Sequence, residues 1–202
     1  MTDHVISTYN SIAHEYASIF SEPTDYLDSF LDILPLNATI LDIGCGPGID
    51  VNYCHKRGFE VEGFDLSPTM VSLAQKKNPQ CVISLADITD FKSIKSYDAC
   101  IVSYSLIHIP KIDIPRVLSN IRACLKNTGY LYVSIHEGES CEKLLDEPLN
   151  PSLKIFLNIF TEEELSSLLV QSGFQIVETR RKSSSSPEEF LFNKLIIMAK
   201  TV

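Results

Sequence analysis

ILDIGCGPGID, residues 40 to 50, closes an apolar run and then places glycines at every second position, Gly44, Gly46 and Gly48. A short apolar run bounded by glycines reads as a buried strand leading into a tight turn. Glycine adopts dihedrals closed to other residues and lets a second group touch the main chain. A helix beginning near Ile49 would aim its unpaired N–H groups at the same place. The turn is therefore either a platform for a ligand or a tight structural bend of the same composition. A dinucleotide site would need G-x-G-x-x-G; here the second gap is one residue short, and Pro47 removes an N–H from the middle of the loop, which weakens it as a phosphate cradle.

Outward from this turn, strand-like runs recur at 39–43, 60–64, 81–85, 97–103 and 130–135, then at 174–179 and 191–199. Helically periodic segments lie between the early ones, at 67–77 and at 112–125, with Asn127-Thr128-Gly129 as the expected stop of the second. Such alternation means βαβ units, whose right-handed crossovers build a mostly parallel sheet covered by helices on both faces. Ligands of these sheets bind beyond the carboxyl ends of the strands, so the residues just after each strand carry the information.

Two regions fall outside the alternation. Residues 1–34 read as one or two helices, with Ile6, Tyr9, Ala13, Tyr16 and Phe20 on one helical face. Residues 136–160 are longer than an ordinary connection and contain Pro148 and Pro151. That segment reads as a substrate loop or cap, or as a surface excursion or amphipathic helix packed on the sheet, and packing is the expected fate of Phe156 and Phe160. The run Ser183–Ser186 before Pro187 reads as an exposed turn between the last two strands.

The 202 residues, 45% of them apolar, suit one domain with a single sizeable core. A net charge of −9, with basic residues only in small clusters such as Lys76-Lys77 and Arg180-Arg181-Lys182, argues against nucleic-acid binding. The six cysteines form no CxxC pair and no zinc-like spacing, so they read as reduced thiols and no metal site is expected. The amino terminus lacks a basic stretch followed by an apolar one, and no apolar segment approaches membrane-spanning length, so a soluble, cytoplasmic chain without a membrane partner is expected.

The charges around the glycines sharpen the reading. Asp42 closes the first strand, Asp65 the second, and Asp87 follows the third. Each alone would pass as a cap or turn residue. Together they place three carboxylates on one edge, which a cationic ligand rich in hydroxyl and amine donors would compensate.

This combination resembles the class I S-adenosylmethionine-dependent methyltransferases. The resemblance rests on four ordered motifs, LDIGCGPG (41–48), VEGFDLSPTMV (61–71), LADITDF (85–91) and YDACIVSYSLIHIP (97–110), and extends through ACLKNTGYLYVSIHEGES and FTEEELSSLLVQSGFQIVE. It implies a Rossmann-like α/β fold with a seven-stranded sheet of order 3-2-1-4-5-7-6, the last strand antiparallel. It also implies that Asp42 and the backbone of Gly44 and Gly46 hold the methionine end of S-adenosylmethionine, and that Asp65 accepts from both ribose hydroxyls. Leu66 would flank the adenine, Asp87 accept from its exocyclic amine, and the Ile88 amide donate to a ring nitrogen. Ser103 would lie near the sulfonium, with Cys45, Gly48, Met70 and Ala86 completing the cofactor set. Tyr9 and Tyr16, in a segment resembling the opening helix of many members, would form a lid; core packing of a tyrosine stripe is the rival.

The implied reaction passes a methyl group to an oxygen or nitrogen of a small-molecule acceptor and leaves S-adenosylhomocysteine. Where the acceptor carries a proton, a base helps, and the candidates are His108 and His136, after the fourth and fifth strands. A loop histidine bonded to a carbonyl is an equal reading of His108, and an exposed one of His136. SYSLIHIP lacks the Asn/Asp-Pro-Pro-aromatic motif of amino-methylating nucleic-acid and release-factor enzymes. A nicotinamide-dependent oxidoreductase, a non-catalytic cofactor-binding module and a protein or RNA modifier remain as alternatives, and the chain is expected to be a monomer or homodimer.

Overall fold

The computed structural model describes residues 2–184 and 186–202; Ser185, within the expected exposed turn, lies outside them. Strand β1 (Thr39–Ile43) pairs in parallel with β2 (Glu60–Asp65) on one side and β4 (Tyr97–Ser103) on the other. Beyond β2 lies β3 (Val82–Leu85), and beyond β4 lie β5 (Leu125–Glu137), β9 (Asn193–Thr201) and β8 (Phe174–Ser183). The order β3-β2-β1-β4-β5-β9-β8 is the expected 3-2-1-4-5-7-6 with an extra hairpin counted, and β9 runs antiparallel to both neighbours. The chain moves outward from β1 to β3 and then returns to β4. The carboxyl ends of β1 and β4 therefore flank the switch point where such sheets bind ligands.

Side-chain alternation along the central strands feeds two cores. Leu41, Ile43, Cys100 and Val102 point to one face, while Ile40, Ala99 and Ile101 point to the other. Helices α3 (Ile49–Lys56) and α4 (Pro68–Lys77), with α2 (Leu27–Asp32), bring buried residues to the second face. Helix α5 (Ile114–Cys124) covers the first with Ile114, Val117, Leu118, Ile121 and Cys124, the spacing of a core-facing stripe. It ends at Cys124, before the expected stop; Asn127-Thr128-Gly129 lies inside β5, where Thr201 Oγ1 accepts from the Gly129 N–H at 3.1 Å and faces the Asn127 carbonyl oxygen at 2.7 Å.

Capping follows side-chain chemistry. Ser67 Oγ accepts from the Met70 N–H at 3.2 Å ahead of α4, where Pro68 sits in the first turn, and Thr161 Oγ1 accepts from the Glu164 N–H at 3.1 Å ahead of α6 (Glu162–Gln171).

Residues 136–160 form neither an open loop nor a helix. They hold a hairpin of β6 (Cys141–Glu147) and β7 (Asn150–Ile159), a separate two-stranded sheet. Pro148 stands in its turn and Pro151 near the start of β7, so neither interrupts a helical ladder. Phe156 and Phe160 are buried, the packing expected of them. The last strand begins at Asn193 rather than at 191, because the Phe192 N–H bonds the Phe190 carbonyl in a turn. Helix α1 (Thr2–Ile19) crosses the carboxyl edge of the sheet, packed on α4 and β7. Asn10 Oδ1 accepts from Ser67 Oγ at 2.7 Å and from the Thr69 N–H at 3.3 Å, which fixes α1 on the start of α4. Among the described residues no helix is long and apolar enough to cross a membrane.

Candidate active site

The three glycines of the opening stretch divide by what surrounds them. All have positive φ, 75° at Gly44, 51° at Gly46 and 77° at Gly48. A Cβ on Gly44 would stand 2.1 Å from Ser105 Oγ, and one on Gly48 would stand 2.5 Å from Asn78 Nδ2 and 2.9 Å from Ala74 Cβ. A Cβ on Gly46 would meet nothing within 4 Å. Gly44 and Gly48 are thus required by the protein's own packing. Only the middle glycine is bare toward open space.

That space is a cleft in two parts. The smaller cavity, about 120 Å³, is lined by Asp65, Leu66, Met70, Ala86 and Ile88 among others. The larger, about 370 Å³, reaches from Asp42, Cys45 and Asp50 to His136 and Phe190. The two share Tyr9, Tyr16, Gly44, Gly46, Ser103 and Tyr104, so they meet over the glycine turn with the tyrosines of α1 above it.

Asp65 is fixed by the turn itself. Its Oδ2 accepts from the Gly46 N–H at 2.9 Å and its Oδ1 from the Ser67 N–H at 2.8 Å. A carboxylate has about four lone-pair sites, so two remain for a ligand. Burial pushes its pKa up, and the N–H groups of Ser67, Gly46 and Leu66 pull it partly back. Asp42 is more extreme. It is 2% exposed, and among the described residues its Oδ2 finds no hydrogen-bond partner. Burial first, then the neighbouring Asp50 and Asp65, hold its carboxyl well above the usual carboxylate range. Asp50 Oδ1 accepts from the Thr24 N–H at 2.8 Å, and burial raises its pKa to about 6 against that bond. Two adjacent carboxylates held in this state favour a cation beside them.

Ser103, at the end of β4, is linked to Thr24 Oγ1 at 2.9 Å and to Ser134 Oγ at 3.0 Å. Tyr104 follows with φ of 52°, a left-handed conformation uncommon for a non-glycine residue and frequent at functional sites. Its Oη is buried without a partner among the described residues.

The two histidines differ. The Phe156 carbonyl can only accept, so His108 Nδ1–H donates to it at 2.9 Å, and Nε2 accepts from Tyr9 Oη–H at 2.7 Å. Both nitrogens are engaged, which ties α1 to β7 and leaves neither free for an acceptor. Burial lowers the pKa of His108 to about 4. His136 is 6% exposed, faces the larger cavity, and its Nδ1 has no partner among the described residues. Burial, with His108 and Lys194 adding to it, lowers its pKa to about 3.

The structure thus brings Tyr9, Tyr16, Asp42, Gly44, Gly46, Asp65 and Ser103 to the cleft, with Cys45 on its larger side and Leu66, Met70, Ala86 and Ile88 on its smaller side. Gly48 and Asp87 line neither cavity. Gly48 packs on α4, and Asp87 Oδ1 closes its own turn by accepting from the Thr89 N–H and Oγ1, both at 2.8 Å. The sequence reading missed Thr24, Asp50, Tyr104 and Glu147, all of which line the larger cavity. Asp50 stood inside the opening stretch and reads there as an ordinary first-turn acid. Nothing local marks Tyr104, because a positive φ on tyrosine has no sequence signature.

Residues 13–179 match the profile of a family described as methyltransferase domain. The chain belongs to that family. This agrees with the resemblance carried by the four motifs, and the fold is that of its class I members. A methyltransferase-family relative from Geobacillus sp. (strain WCH70) is 25% identical over 155 residues, covering 70% of this chain and 63% of its own. Trans-aconitate 2-methyltransferase of Enterobacter sp. (strain 638) is 32% identical over 111 residues, covering 54% of this chain and 41% of its own. Among solved structures, Burkholderia thailandensis 1,6-didemethyltoxoflavin-N1-methyltransferase, with 1,6-didemethyltoxoflavin and S-adenosylhomocysteine bound, superposes with a TM-score of 0.75 at 22% identity, over 98% of this chain and 88% of that one. The chain spans between 29% and 63% of the length of the first curated relatives it matches.

Proposed function

We propose that the protein is an S-adenosylmethionine-dependent methyltransferase acting on an oxygen or nitrogen atom of a small molecule. The observation that carries this reading is Asp42, a buried carboxylate with an orphaned oxygen, on the same cleft as the bare Gly46. The residues present fit the cofactor. The smaller cavity offers apolar walls from Leu66, Met70, Ala86 and Ile88, and Asp65 offers two remaining lone pairs for vicinal hydroxyls. Asp42 and Asp50 suit an ammonium group. When bound, S-adenosylmethionine supplies a methyl group on a positively charged sulfur leaving group, so the protein's remaining task is to hold an acceptor lone pair in line.

The chain's own residues divide that task. Tyr9 and Tyr16 cover the glycine turn and, with α1, keep water from it. His108 holds the cover down through Tyr9. His136 is neutral at physiological pH and turned toward the larger cavity, placed to orient an acceptor and to accept its hydrogen bond. With a pKa of about 3 it is a weak base, suited to orientation more than to deprotonation.

Thermal unfolding with S-adenosylmethionine, S-adenosylhomocysteine and NADH in parallel tests the reading. A ligand at about 100-fold its Kd adds roughly 2.7 kcal/mol of stability. We expect this from the first two compounds, and stabilisation by NADH alone would overturn the assignment. Tight binding with no turnover on a broad acceptor panel would instead indicate a cofactor-binding regulatory module.

A further inference from the structure

The larger cavity extends past the glycine turn to a wall that the cofactor reading leaves unused. There the ring of His136 packs against Tyr104, Phe190 and Phe192 at centroid separations of 5.2, 5.5 and 5.6 Å. Two buried polar atoms in this wall, His136 Nδ1 and Tyr104 Oη, have no partner among the described residues. Burying unsatisfied polar atoms is costly, so a ligand that reaches them regains what the protein alone forgoes. A hydroxyl both donates and accepts, whereas a neutral imidazole has one nitrogen of each kind. The matching ligand edge carries a donor close to an acceptor on an otherwise apolar ring.

Charge narrows the class. The larger cavity is lined by seven carboxylates and two ammonium groups, those of Lys182 and Lys194. Both lysines are already paired with carboxylates. Asp25 takes Lys182 at 2.6 Å and reaches Lys194 at 3.5 Å, while Glu189 takes Lys194 at 2.5 Å. Among the seven, Glu147 is 6% exposed at the turn of the hairpin, and burial raises its pKa. An anionic acceptor entering here would meet uncompensated carboxylates and occupied cations.

We infer that the acceptor is a flat, uncharged or cationic heteroaromatic bearing a hydroxyl or amino group, seated against Tyr104, His136 and Phe190, and that carboxylate acceptors are excluded. The inference rests on the methyl-transfer reading above and gives its acceptor a chemical class. It separates this chain from its relative named for trans-aconitate, a polycarboxylate.

The test uses the full chain saturated with S-adenosylhomocysteine, whose own titration is recorded first. Hydroxyquinolines and aminopyrimidines are then titrated by calorimetry beside benzoate and trans-aconitate. We expect saturable binding of at least one ring compound and carboxylate binding at least about tenfold weaker. Phe190→Ala and His136→Gln should each weaken the ring compound roughly 3- to 10-fold without moving S-adenosylhomocysteine affinity. Glu189→Gln, which loosens the hold on Lys194, should raise carboxylate binding severalfold. Carboxylates binding as tightly as the rings, no saturation by any ring compound, or unchanged ring affinity in both wall variants would each overturn the inference. Failure of S-adenosylhomocysteine to bind at all would instead remove the cofactor assignment, and this inference with it.

Discussion

The two ends of the cleft are assembled in different ways. The end that holds Asp42, Gly44, Gly46, Asp65 and Leu66 comes from one continuous strand-turn-helix-strand stretch, and its contacts are largely main chain: the Gly46 and Ser67 amides on Asp65, and the Gly44 and Cys45 amides on the Phe64 carbonyl. The end that holds Thr24, Tyr104, His136, Glu147 and Phe190 is gathered from segments far apart in the chain. A ligand of constant shape can be met by fixed backbone geometry, which imprints itself on local sequence. A ligand that differs between relatives is met by side chains on loops and added elements, which do not.

The glycines of the turn should respond unequally to substitution. Gly44→Ala would drive a methyl group into Ser105 while holding alanine at positive φ, and we expect it to cost about 2 to 5 kcal/mol of stability. Gly46→Ala meets no protein atom, so its stability cost should be only that of the left-handed backbone, about 1 to 2 kcal/mol. Its methyl enters the cleft, however, and cofactor affinity should fall more than about tenfold. Thermal unfolding and calorimetry on both variants separate the roles. Full affinity in Gly46→Ala would mean that the middle glycine does not face a ligand.

Next in size is Asp65→Ala, which should weaken S-adenosylmethionine binding by ~1.5 to 3 kcal/mol, the usual loss for charge-assisted hydrogen bonds. An unchanged dissociation constant would take Asp65 out of the site. Asp87→Ala should cost less affinity, because that carboxylate spends one oxygen on Thr89 and lines neither cavity. Equal losses would restore Asp87 to the adenine contact that the family resemblance implies.

The same contrast explains what the sequence disclosed. The strands, the glycine turn and the carboxylates at the ends of β1 and β2 were legible because apolar strand runs and closely spaced glycines are local signals, whereas the strand order came from the family resemblance. The hairpin at 141–159 was not, since its apolar run of Ile155, Phe156 and Leu157 fits a buried strand or a helix face equally until its pairing is known. His108 reads like a base in LIHIP. Only the fold shows Tyr9 and Phe156 arriving from distant elements to occupy both of its nitrogens.

That clasp gives a smaller prediction. Tyr9→Phe would leave His108 Nε2 without its donor and should cost about 1 to 3 kcal/mol of stability. If α1 is the lid, cofactor dissociation should also accelerate in stopped-flow exchange, while His136→Gln leaves that rate unchanged. A Tyr9→Phe protein that is destabilised but releases cofactor at the wild-type rate would make α1 packing alone.

The mildest effect is on pH, and its sign is diagnostic. Asp50 titrates at about 6 in the ligand-free fold against an ordinary 3.8, and Asp42 is raised in the same direction. Between those values these two carboxyls bind more protons in the folded protein than in the unfolded chain, so their contribution to stability falls as pH rises through that window, while His108 and His136, neutral in the fold and protonated when unfolded, contribute in the opposite direction. A bound cation favours the charged carboxylates, and its binding therefore releases protons and tightens as pH rises. In the folded protein His108 and His136, at about 4 and 3, are already neutral across most of this range and so contribute little to the pH dependence of ligand binding. We expect S-adenosylmethionine affinity to increase about tenfold from pH 5 to pH 7, with proton release visible as a dependence of the calorimetric heat on buffer ionisation enthalpy. Asp50→Asn should flatten the profile while keeping an oxygen for the Thr24 N–H. An affinity that declines over the same range would mean that the carboxylates at the glycine turn do not face the positive end of the ligand.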